Sequence, residues 1–127
     1  MGVTPPMRES RDVPIKVPAN AGYLVLARLA LSAICRLTPL EHSEVADLKL
    51  AVTEAASRFV GNGTGPESQI EFFFRLNDDQ LEMELRGGDA NVPESELELS
   101  RAIVEATVDD AQLDGDRTLL VKRLPAG

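Results

Sequence analysis

The stretch from Thr38 to Val60 constrains this chain most. Thr38-Pro39-Leu40-Glu41 has the form of a capping box with proline at the first helical position. The helix that it opens is expected to run to about Val60. Its apolar seam is Val45, Leu48, Val52, Ala55 and Phe59, at spacings of three and four residues. Such a seam has to lie on a second layer, so the question becomes what supplies that layer.

The flanking segments supply a sheet. Val13 to Pro18 is bounded by prolines and reads as an edge strand, where proline is tolerated. Asn20 is a candidate N-cap for a helix from Ala21 to about Arg36. Gly61 to Pro66 breaks the second helix. Gln69 to Leu76 and Gln80 to Arg86 read as strands across an Asn77-Asp78-Asp79 turn. Leu81, Met83 and Leu85 alternate with Glu82, Glu84 and Arg86. Gly87 to Pro93 is a loop, and Glu94 to about Val108 a third helix. Ala111 to Leu113 and Arg117 to Arg123 form a closing hairpin across Asp114-Gly115-Asp116. The order predicts an α+β two-layer sandwich, mainly antiparallel, with the helices on one face. The domain runs from 13 to 127 behind a flexible tail, 1–12.

Composition narrows the function classes. The 127 residues suit one core, and with 4% aromatics that core is aliphatic. A net charge of −8 disfavours direct nucleic-acid binding and fits a partner with basic patches. No apolar run is long enough to span a bilayer, and Met1 to Asp12 lacks a signal-peptide core. The single cysteine, Cys35, allows no intrachain disulfide and points to the reducing cytoplasm.

The run Ala46-Asp47-Leu48-Lys49-Leu50-Ala51-Val52-Thr53-Glu54-Ala55-Ala56-Ser57-Arg58-Phe59-Val60 resembles the signature helix of the RsbW/SpoIIAB-type anti-sigma factors, serine kinases of the GHKL (Bergerat) ATPase fold. The first helix, Tyr23 to Leu31 with its embedded Arg28, and the segments 101–110 and 117–124 are similar to that family's opening helix, last helix and closing strands. The resemblance covers about Val13 to Leu124. It implies the GHKL fold, a sigma-factor partner, an anti-anti-sigma antagonist, a homodimer, and ATP with magnesium as the cofactor of an active kinase. Glu54 stands where the family has its catalytic base, and Arg58 where it has the Asn that holds magnesium.

The nucleotide motifs depart from the family pattern. A guanidinium offers only donors, so Arg58 cannot coordinate a hard cation as an Asn carbonyl does. Four residues apart on one helix, Glu54 and Arg58 are expected to pair, which would lower the basicity of Glu54. In place of an Asp-x-Gly-x-Gly box the chain has Arg86-Gly87-Gly88-Asp89-Ala90-Asn91, whose acid follows the glycines. Val92 to Ser100, the place of a Gly-rich phosphate turn, has no glycine and three glutamates, Glu94, Glu96 and Glu98. Glycine is what lets a backbone close on phosphate, and glutamates repel it. Glu54 is therefore expected to be a vestigial base position, with no cofactor and no metal bound.

Other chemistry is weakly supported. His42 lies in a charged helix start and is expected in solvent. Cys35 reads as a small core residue. Ser57 and Ser100 have no histidine nearby for a nucleophilic triad. Asp109-Asp110 reads as a solvated helix end.

The first helix carries the argument for a partner. From Tyr23 to Cys35 apolar residues point in nearly every direction, with Arg28 and Ser32 the only polar line. A two-layer domain covers one stripe, so a second face needs another chain, or else the N-terminal segment, to bury it. Leu24, Val25, Arg28, Leu29 and Ser32 are the candidate partner-binding residues. The reading is a degenerate, ATP-independent anti-sigma factor that sequesters a sigma factor. The alternatives are an active serine kinase acting on an anti-anti-sigma factor, and a nonenzymatic module that pairs with a related kinase.

Overall fold

The computed structural model describes residues 11–60, 68–88 and 94–125. The expectations for residues 1–10, for the Gly61–Pro66 break and for Asp89–Pro93 lie outside these. Strand β1 spans Arg11–Pro18, so Arg11 and Asp12 belong to the sheet rather than to a tail. They pair with Leu76 and Arg75 of β2 (Gln69–Leu76). β3 is Gln80–Arg86, β4 Asp110–Leu113 and β5 Arg117–Arg123. The sheet runs β1-β2-β3-β5-β4, and each of these neighbours is antiparallel. β1 is thus an edge strand, as its prolines require.

Period-two alternation decides which face receives the helices. Ile70, Phe72, Phe74, Leu76, Leu81, Met83, Leu85 and Leu120 point inward and are buried. Phe72 and Phe74 stack with ring centroids 6.2 Å apart. Above them lie α1 (Leu24–Cys35), α2 (His42–Ser57) and α3 (Glu94–Thr107). From α1 come Leu24, Ala27, Leu31, Ile34 and Cys35, and from α2 Leu48, Ala51, Val52, Ala55 and Ala56. Cys35 is a core residue, and burial pushes its thiol pKa up against the opposing pull of Lys49.

Three local expectations shift. Asn20 caps a short 3-10 turn, Ala21–Tyr23, by accepting from Gly22 N, and the α-helix starts only at Leu24. The α2 cap is Glu41 rather than Thr38: the Glu44 carboxylate accepts from Glu41 N at 3.2 Å. Thr38 instead ties the connection, donating to Cys35 O at 2.7 Å and accepting from Leu40 N. α2 also stops at Ser57, which makes Arg58 its C-cap.

Candidate functional site at the end of α2

The end of α2 meets the middle of α3 and the β4–β5 hairpin, and the side chains of Glu54, Ser100, Arg58 and Thr118 connect them. Glu54, half-buried on α2, accepts a hydrogen bond from the Ser100 hydroxyl at 2.8 Å. Arg58 turns away from Glu54. Its guanidinium donates to Thr118 Oγ1 at 2.6 Å and to the Asp114 carbonyl. The expected Glu54–Arg58 pair does not form. Arg58 is the helical C-cap, and its long side chain reaches the hairpin, while Glu54 bonds Ser100 of α3.

Arg58 is only 5% exposed. Its Nε is buried with no hydrogen-bond partner, and its guanidinium carbon lies 5.3 Å from the Phe59 ring centroid. Burial, and then the neighbouring Arg101, lower its pKa, while Asp114 acts in the opposite sense. A guanidinium still carries its charge there. Phe59 explains the glycine that follows β3. A Cβ on Gly87 would sit 2.7 Å from the buried Phe59 ring, so Gly87 admits that ring between the end of α2 and the sheet.

The second candidate region is the outer side of α1 and α2. Val25, Leu26 and Leu29 are 41%, 45% and 61% exposed, and Leu50 of α2 is 49% exposed. Apolar side chains of the first helix are therefore exposed on the face away from the sheet, among the described residues. Leu24 is the exception. At 7% exposure it belongs to the core with Ala27 and Leu31, because the helix phase set by Leu24, Ala27, Leu31 and Ile34 points it at the sheet.

Two adjoining grooves, about 480 Å³ and 840 Å³, run between α1 and α2 and share Leu29, Ser32 and Lys49. Arg28 lines the first and Arg36 the second. Arg28, Arg36 and Lys49 make no ion pair with another described residue, whereas Lys16, Arg75, Arg86, Arg117, Lys122 and Arg123 each do. In a chain of net charge −8, three cations with no ion pair among the described residues are thus gathered beside an exposed apolar patch. Thr53 Oγ1, at the groove's edge, is buried without a partner.

The open face of the sheet carries a feature that the sequence did not disclose. Glu84 is 2% exposed and accepts from Arg75 at 2.9 Å, Arg86 at 2.6 Å and Arg117 at 2.8 Å. Burial alone would raise its pKa. The bonds from Arg117, Arg86 and Arg75 overcome that and hold it at about 2. The alternation of β3 placed Glu84 on the outer face. Only the β2–β3–β5 register brings its three partners together.

His42 is exposed, as its sequence context predicts. Asp109 and Asp110 are more than a solvated helix end: they accept from Arg123 N and from its guanidinium. Among the described residues no group of His, Cys, Asp and Glu could hold a metal ion, and no helix is long and apolar enough to cross a membrane.

Comparison with known proteins agrees with this architecture. Residues 17–121 match the family model described as the histidine kinase-like ATPase domain, and the chain belongs to that family. It is similar to the serine-protein kinase RsbW of Bacillus pumilus (strain SAFR-032), 27% identical over 125 residues. That match covers 93% of this chain and 77% of the relative. The RsbW of Bacillus cereus (strain AH187) is 27% identical over 78 residues, which is 61% of this chain and 49% of that protein, so the chain spans about half of that relative. A crystal structure of the RsbU and RsbW domains of Rv1364c from Mycobacterium tuberculosis superposes with a TM-score of 0.68. It is 18% identical and covers 90% of this chain and 32% of that one, a likeness of fold. The chain thus has the histidine kinase-like ATPase fold and is similar in sequence to RsbW serine-protein kinases.

The resemblance implies a magnesium nucleotide as cofactor, and the residues at the end of α2 do not suit it: Arg58, which it aligns with a metal ligand, is a buried donor-only cation bonded to the hairpin, and Glu54, which it aligns with a base, is bonded to Ser100.

Proposed function

We propose that this chain is an anti-sigma factor that sequesters an RNA polymerase sigma factor by protein–protein binding and does not phosphorylate an antagonist. The observation that carries the reading is the trough between α1 and α2, where exposed Val25, Leu29 and Leu50 lie beside Arg28, Arg36 and Lys49, which make no ion pair among the described residues. Contiguous exposed apolar surface is a mark of an interaction site, and the cations beside it favour acidic groups opposite the trough, unlike the basic partner that the net charge of the whole chain suggested. The trough supports the binding half of the reading. Arg58 supports the nonenzymatic half, because without a metal ligand the γ-phosphate has no charge-neutralising clamp for transfer. A homodimer, an anti-anti-sigma antagonist and a cytoplasmic location complete the proposal by likeness to RsbW.

The test is a titration of the purified chain against the sigma factors of its own cell, with core polymerase as competitor. A parallel incubation contains labelled ATP, magnesium and the anti-anti-sigma candidates. The expected result is a complex of micromolar affinity or better, about −8 kcal/mol, formed without nucleotide, and no transfer of label. Phosphoryl transfer would establish the kinase reading. Binding only to a related kinase would establish the pairing module.

A further inference from the structure

We propose that Arg58 is a positioning residue that stands in for a bound ligand: its guanidinium fastens the end of α2 to the β4–β5 hairpin, so the trough on α2's other side is set without any small molecule. The trough's occupant rests on the sigma-binding reading; the fastening does not. α2 carries both features. Ala46, Lys49, Leu50 and Thr53 line the trough, while Glu54 and the C-cap Arg58 face α3 and the hairpin. The position of one face therefore fixes the position of the other, since a helix moves as a rigid element.

The connections reach far along the chain. Arg58 bonds Thr118 and Asp114, sixty and fifty-six residues away, and Glu54 bonds Ser100, forty-six residues away. A buried guanidinium that makes no close ion pair among the described residues, with only the longer-range pull of Asp114, is an expensive way to make a structural contact. Arg101 beside it adds like charge. Its Nε also stays unpaired. What the residue achieves is to span the gap between two elements with a planar fork of donors, which a shorter side chain or a lysine cannot do.

Hydrogen exchange tests this on the intact chain without any partner. In the wild type, exchange across α2 and β4–β5 should be unchanged by millimolar ATP with magnesium. Arg58→Ala should speed exchange in the last two turns of α2 and in the hairpin by about ten- to a hundredfold, the loss expected for a charged hydrogen bond. Arg58→Lys should not restore protection, whereas ethylguanidinium added to the alanine variant should. Thr118→Val, which leaves α2 intact, should loosen the same two segments and covers the case in which Arg58→Ala does not fold. Unchanged hairpin exchange in both variants, or protection of the wild type by nucleotide, would overturn the proposal. If the exchange results are as expected but no sigma factor binds, the functional reading fails while the fastening stands.

Discussion

The Ser100 hydroxyl donates to Glu54 Oε1 at 2.8 Å and joins the second helix to the third at the position that the resemblance aligns with a catalytic carboxylate. Glu54 is thus half of an interhelix contact. Glu54→Ala should cost about 1–2 kcal/mol, the loss of one hydrogen bond to a charged group, and Glu54→Gln less. Partner affinity should hold in both. Thermal unfolding paired with a binding titration checks this, and a folded variant that no longer binds would give Glu54 a direct role.

The exposed face of α1 separates binding from folding. Leu29 is 61% exposed, so Leu29→Glu should change stability by no more than about 0.5 kcal/mol. Burying that carboxylate at a contact should cost several kcal/mol of association. Val25→Glu should act likewise. Arg28→Glu should weaken the complex and reduce its salt dependence. Circular dichroism, light scattering and a binding assay on the same samples provide the readout. Wild-type mass and affinity in folded variants would show that this face has no partner.

Gly87 and Phe59 make a steric prediction. A methyl group at 87 would lie 2.7 Å from the ring, which is fully buried and has nowhere to retreat. Gly87→Ala should therefore destabilise by about 1–3 kcal/mol through overpacking. Gly88, which has nothing within 4 Å of its ideal Cβ, is the control, and Gly88→Ala should be nearly neutral. Chemical denaturation of the two variants distinguishes close packing from a general need for glycine.

Glu84 predicts the acid limb of the stability curve. Its pKa is depressed from 4.5 to about 2 in the fold. A depressed carboxylate contributes stability that is fully present above the unfolded pKa. That contribution is lost as pH falls from about 4.5 towards 2. A shift of that size corresponds to about 3 kcal/mol, which the solvent exposure of the three arginines reduces to of order 2. Glu84→Gln should lose that amount at neutral pH, and its stability should fall less steeply between pH 4.5 and 2. Parallel acid limbs in the two proteins would contradict the assignment.

Sequence patterns specified the elements because their information is local. The seam Leu48, Val52, Ala55 and Phe59, the alternation Leu81, Met83, Leu85 and the prolines of the first strand each report periodicity or a missing donor within a few residues. Those signals, with the family likeness, yield the two-layer antiparallel fold and an uncovered face on the first helix. Helix phase was already harder: Leu24 sits one residue from exposed Val25, and only the packed direction of α1 put it in the core.

What tertiary structure alone decided are the long-range choices among several available partners. By spacing, Arg58 could reach Glu54, yet α2 ended one residue earlier and the guanidinium went to Thr118 and Asp114. Of the three arginines of Glu84, Arg86 shares its face two residues along β3, while Arg75 and Arg117, nine and thirty-three positions away, reach it only through strand register. Gly87 needs no side chain because of a phenylalanine twenty-eight residues earlier in the chain. A sequence fixes which donors, acceptors and volumes exist. Which of them meet depends on where helices stop and strands pair, and those outcomes are set by the packing of the whole domain.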